Sequence, residues 1–439
     1  MHEFILSNAR LVLENEVVNG SIRVADGVIK EVNSGKGFIR GSFDCNENYL
    51  SPGLIELHTD NLERHMQPRA NVKWPIKAAI LSHDRELESA GITTVFDALR
   101  VGSIVSDKRG NYLKYARQVT DTIKELRAEK SLKISHFTHL RAEVCSETLE
   151  IELEEFTPED RVGIVSLMDH TPGQKQFRDL DKMAEYLKGK YSMSPKDLED
   201  HFERLYKIKK AWGDRNHAAT LSANKRLGAI LASHDDTTEN DAITSIENGC
   251  KIAEFPTTVE ASKVLNRSSI NIIMGGPNIL RGESHSGNVA AKDLVSMGCC
   301  NILSSDYMPS SLLMGAVKLG DILGDFAKGI KAVTETPAKA ANLNDRGLIK
   351  VGMRADLLLF DVKNRGYISE GYYADLVVFN LNKPWTVTKE NLLYKCNWSP
   401  FENKSFKSRI LHTFVNGNLV FSNGKVIDEY MGMKIEFER

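Results

Sequence analysis

The sequence predicts an α/β protein: a (β/α)8 barrel of the TIM type with a small composite β-sandwich contributed by both termini. Three observations predict it. Eight short, nearly continuous apolar runs lie between residues 53 and 306, separated by longer amphipathic stretches. Strands buried on both faces read this way, because helices cover one side and a packed interior the other. Polar residues of ligand type gather at the carboxyl ends of those runs, where a barrel keeps its chemistry. Both ends of the chain read differently, as short strands that alternate apolar and polar residues.

Residues 1–52 supply the first part of the sandwich: LSNARLVLE, GSIRVADG and VIKEVNS alternate and are broken by Gly27 and Gly35. The barrel is expected over 53–340. Its runs are GLIELHTD (53–60), ITTVFDA (92–98), LKISHFTHL (132–140), RVGIVSLMDH (161–170), GAILASHDD (228–236), GCKIAEFP (249–256), SINIIMGG (269–276) and CNILSSD (300–306). The charged, helix-patterned stretch 177–226 is the longest connection and reads as an added helical hairpin or lid. Short strands return in 341–439, where DRGLIKVGMRADLLLFDV (345–362) is followed at once by NRGYISEGYYADLVVFNL (364–381). Two copies cannot form a solenoid. They are either a duplicated hairpin or a junction between two related tails.

Composition narrows the function classes. The 439 residues are 41% hydrophobic and 26% charged, with a net charge of −2, so neither nucleic acid nor a membrane surface is an expected partner. No apolar run approaches the roughly 18 residues of a membrane helix. The first residues carry charges throughout and lack a cleavable signal pattern. The six cysteines are scattered with no CxxC, which argues against a disulfide scaffold or a Cys-based zinc site and makes a reducing cytoplasm the expected location.

The strand ends offer His58 and Asp60; His139, Arg141 and Glu143; Asp169 and His170; His234, Asp235 and Asp236; Glu254; and Ser304, Ser305 and Asp306. From these, His58, Asp60, His170, His234 and Asp306 are selected as metal ligands. Several such groups on one rim need a common partner, and imidazoles with carboxylates suit Zn²⁺, Mn²⁺ or a related divalent ion. In His58-Thr59-Asp60 the i, i+2 spacing puts two ligands on one side of an extended strand. The ligands outnumber what one tetrahedral ion takes, so two divalent ions are expected, bridged by a carboxylate and a hydroxide. Glu143 is the candidate bridge; a salt bridge to Arg141 or another neighbour is the competing reading. Arg64, Arg69, Arg100, Arg141, Lys175, Arg178 and Arg281 lie just beyond strand ends and suit a phosphorylated small-molecule substrate, although each also reads as a surface charge. The loop GGPNILRGESHSGN adds His285 and Ser286 to Arg281 as anion-binding candidates. It lacks the GKS/GKT end of an ATPase phosphate loop.

SPGLIELHTD, the later strand-end histidines and the SSD at the eighth run resemble the amidohydrolase superfamily. HTDNLERHMQPR, HDRELESAGITTVFDAL, THLRAEV, MDHTPGQ, SHDDTT, PNILRGESHSGN and SSDYMPSSLL more narrowly resemble its ribose 1-methylphosphonate 5-triphosphate diphosphatases of carbon–phosphorus lyase pathways, over about residues 1–360. The resemblance implies His58, Asp60, His170, His234 and Asp306 as ligands, Asp306 as general base, and Glu143 in place of a carboxylated lysine. The superfamily pattern puts the bridge on strand four and histidines on five and six. Here Glu143 follows the third run, His170 the fourth and His234 the fifth. Either a further strand lies near 100–130 or one ligand differs. The tail 364–439 resembles that of bacterial dihydroorotases.

The expected reaction is pyrophosphate release from a ribose triphosphate bearing a 1-phosphonate, with arginines on the β- and γ-phosphates. A cyclic-amide hydrolase such as dihydroorotase is the nearest rival, but HTDNLERH replaces the HxHxR of those enzymes. A catalytically silent barrel serving as an assembly partner is the other. Assembly into a homo-oligomer is left open.

Overall fold

The structure, a computed structural model, describes residues 3–69, 72–105, 114–175, 195–284, 287–360, 376–380, 384–392, 399, 402–406, 409–415 and 418–427. The chain divides into two compact units, Met1–Phe360 and Asp361–Arg439.

The first unit begins with an antiparallel meander, β1 (Glu3–Val12), β2 (Val17–Ala25) and β3 (Val28–Ser34). Asp26 and Gly27, both at positive φ, make the tight turn between β2 and β3, where the twist of paired strands favours such residues. The short β4 (Phe43–Asp44) and β5 (Tyr49–Pro52) run parallel to β1. Ala9, Leu11, Ile22, Val24, Ile29 and Leu50 form this sheet's core.

Eight parallel strands follow, hydrogen-bonded in chain order: β6 (Leu54–Thr59), β7 (Ile92–Val101), β8 (Ser135–Glu143), β9 (Val162–Met168), β10 (Ile230–His234), β11 (Ile252–Glu254), β12 (Asn271–Gly275) and β13 (Ile302–Ser304). Each coincides with one apolar run. The ring closes from β13 to β6 through Ser304 Oγ on the His58 carbonyl, Thr59 Oγ1 on the Asp306 carbonyl (2.6 Å) and Ser305 N on Glu56 Oε2 (2.6 Å). The barrel interior is Ile55, Leu57, Phe96, Ile164, Ala232, Ile252, Ile273 and Ile302, with Ala338, Ala340 and Ala341 of the helix Glu335–Ala340 and its C-cap packed on them. Each large aliphatic side chain so buried contributes about 1.5–3 kcal/mol. Gly163 is required here: a Cβ would lie 2.3 Å from the Phe96 ring, which stacks on Phe137.

The outer faces of the strands pack on helices, among them Ile76–Ser89 and Ala116–Ala128, through Ile80, Leu99, Val119, Ile123 and Leu140. Of the expected hairpin or lid at 177–226, the described part is one helix, Pro195–Leu227; residues 176–194 lie outside the described residues. Because β7 pairs directly with β8, no further strand enters the barrel near 100–130, and Glu143 belongs to the third barrel strand.

The first ADL copy lies against the N-terminal sheet. β14 (Leu357–Phe360) pairs antiparallel with β5, Gly53 N donates to the Asp356 carbonyl, and Ala355 N donates to that of Gly27. Within the second unit, β15 (Leu376–Asn380), which starts in the second ADL copy, pairs with β18 (Arg409–Val415). That strand pairs with β19 (Asn418–Ser422), and β19 with β20 (Lys425–Val426). The short β16 (Trp385–Thr386) and β17 (Ser405–Phe406) pair separately.

Candidate metal centre

The carboxyl ends of the barrel strands bring polar side chains into one cluster. His58 near the end of β6, His139 on β8 and Glu254 at the end of β11 are all buried, and one donor atom from each lies within 4.8 Å of the others. His58 Nδ1 is 3.0 Å and His139 Nε2 3.6 Å from Glu254 Oε1. His139 is fixed at its other nitrogen, Nδ1, 2.9 Å from the Leu57 carbonyl. The His58 ring stands edge-on to that of His139 (5.0 Å between centroids) and 5.5 Å from that of His234.

Two further ligand candidates pair beside this cluster. His170 Nδ1 lies 2.5 Å from Glu143 Oε2, while the His170 and Cys145 amides donate to Glu143 Oε1. The His170 and His234 rings are 6.3 Å apart, so the histidines form a continuous row around the rim. Asp60, half-buried at the lip, has Oδ1 at 3.7 Å from His58 Nε2 and ion-pairs with Arg141. Its amide donates to the Asp306 carbonyl at 3.2 Å. Asp235, Phe255 and Asp306, which follow or nearly follow strands β10, β11 and β13, all adopt positive φ. Such strain in non-glycine residues collects at functional sites.

Electrostatics follow from burial and neighbours. Burial alone would raise the Glu254 carboxyl, but the His58 and His139 imidazoles outweigh it and hold it at about 2. Glu143 is likewise held at about 2, its burial outweighed by His170 and Arg100. Burial pushes His139 down to about 4. Asp306 moves the other way: burial, then the charge of Asp60, push it up to about 7. Two carboxylates at one rim thus differ in proton affinity, the pattern that separates a charge-holding group from a proton-accepting one.

The donor set fits a divalent ion. Apart from the 3.0 Å approach of His58 Nδ1 to Glu254 Oε1, these atoms and Glu254 Oε2 are buried without a hydrogen-bond partner. A carboxylate so placed is costly without a cation. Two imidazole nitrogens with carboxylate oxygen match Zn²⁺ or Mn²⁺ chemistry.

The five ligand candidates selected from sequence, and the bridge candidate Glu143, therefore all lie at or just beyond the carboxyl ends of the barrel strands. The selection passed over His139 and Glu254, although both were visible at strand ends. The basic candidates are scattered. Arg141 is ion-paired with Asp60, and its Nε lies 3.2 Å from Met168 Sδ. Lys175 donates to the His234 carbonyl and to Asp236. Arg64 is exposed and pairs with Glu86 at 2.6 Å. Arg281 is exposed, 3.9 Å from Glu283, and Arg69 is exposed in a short bridge with Val72. Arg100 lies 3.9 Å from Glu143. His285, Ser286 and Arg178 lie outside the described residues.

No protein-family model matches the chain. Curated relatives do. The chain is 40% identical over 358 residues to alpha-D-ribose 1-methylphosphonate 5-triphosphate diphosphatase of Escherichia coli K12, covering 81% of this chain and 94% of that one. It is 23% identical to dihydroorotase of Thermococcus kodakarensis over 100% of this chain and 99% of that one. Among solved structures, N-isopropylammelide isopropylaminohydrolase from Burkholderia multivorans superposes with a TM-score of 0.53 at 12% identity, covering 97% of this chain and 100% of that one. N-acetylglucosamine-6-phosphate deacetylase from Pasteurella multocida gives 0.52 at 11%, with 96% and 100% covered. At such identities the structures speak to the fold alone. The 40% relative speaks to the family, and the chain belongs to the amidohydrolase superfamily, in the family of the alpha-D-ribose 1-methylphosphonate 5-triphosphate diphosphatase.

Proposed function

We propose that this hydrolase releases pyrophosphate from alpha-D-ribose 1-methylphosphonate 5-triphosphate in phosphonate breakdown. The observation that carries the substrate is the 40% identity over 94% of the length of the relative bearing that name. The ligand set would be His58, His139 and Glu254, with Glu143, His170 and His234 beside them and Asp60 and Asp306 at the lip. Two divalent ions held there, Zn²⁺ or Mn²⁺, would supply Lewis-acid polarisation of phosphoryl oxygens and make water a stronger nucleophile.

The remaining work falls to side chains. Asp306, whose carboxyl burial and Asp60 push up to about 7, accepts the proton of the attacking water. The water oxygen bonds to the α-phosphorus, the bond from it to the α–β bridging oxygen breaks, and pyrophosphate leaves with the electron pair. Arg64, Arg69, Lys175 and Arg281, with His285 and Ser286, are assigned to the β- and γ-phosphates. Arg141 holds Asp60 in place. The partner is a small phosphorylated molecule in the cytoplasm.

The test is anaerobic metal analysis followed by pyrophosphate release from the ribose 1-methylphosphonate 5-triphosphate, with dihydroorotate as control. Metal-loaded protein that opens dihydroorotate and leaves the triphosphate intact would transfer the assignment to cyclic-amide hydrolysis. Less than one ion per chain and no turnover would mean a silent barrel.

A further inference from the structure

Behind the rim, in the layer between barrel and helices, lies a buried line of polar side chains that the chemistry above does not use. Asn61, directly after Asp60, opens the helix Asn61–Met66. Its Nδ2 is 3.0 Å from His83 Nδ1 and 2.8 Å from Glu86 Oε2, both on the helix Ile76–Ser89. His83 Nε2 is 2.9 Å from Asp97 Oδ1 on β7. Asp97 Oδ2 is 2.7 Å from His136 Nδ1 on β8, and His136 Nε2 is 3.2 Å from Asp84 Oδ1. Asp84 also accepts the amides of Lys133 and Ile134. The side chains of His83, Asp84, Asp97 and His136 are fully buried.

The donors and acceptors leave one consistent assignment. An amide nitrogen only donates, so His83 Nδ1 accepts from Asn61, and the neutral ring donates through Nε2 to Asp97. His136 faces a carboxylate at each nitrogen and donates from both, as an imidazolium. Burial depresses His83, while Asp97 and Asp84 outweigh burial at His136 and raise it to about 9, in keeping with those two forms. At its other end the line continues through backbone and hydroxyl: Asn61 N donates to Thr59 Oγ1 (3.2 Å), and Thr59 Oγ1 donates to the Asp306 carbonyl (2.6 Å).

We infer that Asn61 and His83 are positioning residues for the rim: through them the outer layer holds the turn carrying Asp60 in register with Asp306. Ion pairs in an otherwise apolar layer are poor sources of stability but good ones of a single geometry. The surroundings are apolar, with Leu62, Ile80, Leu99, Val119 and Leu140 in the same layer. The line ends on the turn that carries Asp60, where Thr59 bridges the Asn61 amide and the Asp306 carbonyl.

The inference rests on the metal-centre reading for its consequence, so the test carries a readout independent of metal. The comparison is wild type, Asn61→Ala, His83→Leu and His83→Gln, the last keeping an acceptor for Asn61 and a donor for Asp97. Hydrogen exchange over residues 58–66 should quicken in Asn61→Ala and His83→Leu and return toward wild type in His83→Gln. Cobalt affinity by chelator competition should fall about 10–100-fold in the first two, the range for groups that only orient a ligand. The visible spectrum of bound cobalt should shift with it. Wild-type protein that takes up no cobalt would sink the metal centre, and exchange would still decide the positioning. Unchanged exchange over 58–66 in Asn61→Ala, which leaves the His83–Asp97–His136 part intact, overturns the inference. So does a fall in melting temperature with no change in exchange.

Discussion

Arg141 and Asp60 form an ion pair across the barrel rim, the guanidinium reaching from the third strand to the carboxylate that follows the first. Arg141, His58 and His234 together outweigh burial and hold Asp60 below the usual carboxylate range. Asp60→Ala removes a ligand candidate and strands a largely buried guanidinium. The expected result is loss of metal and activity, with about 1–3 kcal/mol of stability lost to the unpaired group. Metal analysis and a urea titration measure the two effects separately, and a full metal content with normal turnover would remove Asp60 from the site.

Glu254→Gln tests the centre of the cluster. The amide keeps the shape but loses the charge that His58 and His139 face. Metal affinity should fall by more than the roughly 100-fold expected of a group that merely supports a ligand. The amide costs the His58 and His139 imidazoles their buried counter-charge, so some stability should be lost as well, and a urea titration measures that loss separately. Equal chelator-competition curves for variant and wild type would show that Glu254 touches no ion.

The strand order and the rim are legible in the chain, and what is not legible has a specific physical reason. All eight apolar runs became strands because interior and helix-facing residues are both buried, which leaves an unbroken run. The HTD at the first strand and the SSD at the last both fall at the rim. Glu254 was passed over because it ends a strand of three residues, Ile252–Glu254, and nothing in IAEF states that its oxygens lie against two imidazoles. His139 sits four residues before the end of β8, and depth inside a barrel is a property of the closed ring. His83 and His136 are hidden in the sequence for another reason. Each is a lone histidine on a buried helix or strand face, and only tertiary packing brings Asp97 between them.

That packing carries a pH signature. His136 is raised from 6.5 to about 9, so its contribution is fully present below 6.5 and is lost as pH rises through 9. It is on the order of 3 kcal/mol at most. Asp84 and Asp97 are depressed, so theirs is present above the ordinary value of 3.8 and is lost as pH falls. The stability difference between wild type and His136→Gln should therefore be largest near pH 6 and shrink toward pH 10. A difference that grows with pH would mean that His136 is neutral in the folded state.

Asp306→Asn separates proton transfer from metal retention. The variant keeps an oxygen at the rim and cannot accept the proton, so kcat should fall about 10²–10⁴-fold while metal content changes little. Pyrophosphate release within a few-fold of wild type would place the base elsewhere.

The last prediction concerns the second unit. The candidate ligands, the barrel and the N-terminal sheet with its β14 edge all belong to Met1–Phe360. In that sheet β14 already occupies the position beside β5, filled by the first ADL copy. The second copy begins β15, which pairs with β18 and so lies in a ladder of its own. A chain ended after Val362 therefore retains every strand of the barrel and of the N-terminal sheet. It should fold, bind as much metal as the full chain and release pyrophosphate at a comparable rate, with lower solubility the expected cost. Metal content and pyrophosphate release of the purified 1–362 chain are the measurements. A soluble, folded 1–362 chain that has lost its metals would mean that residues 363–439 shape the site, and the tail could no longer be treated as an addition to a self-sufficient barrel.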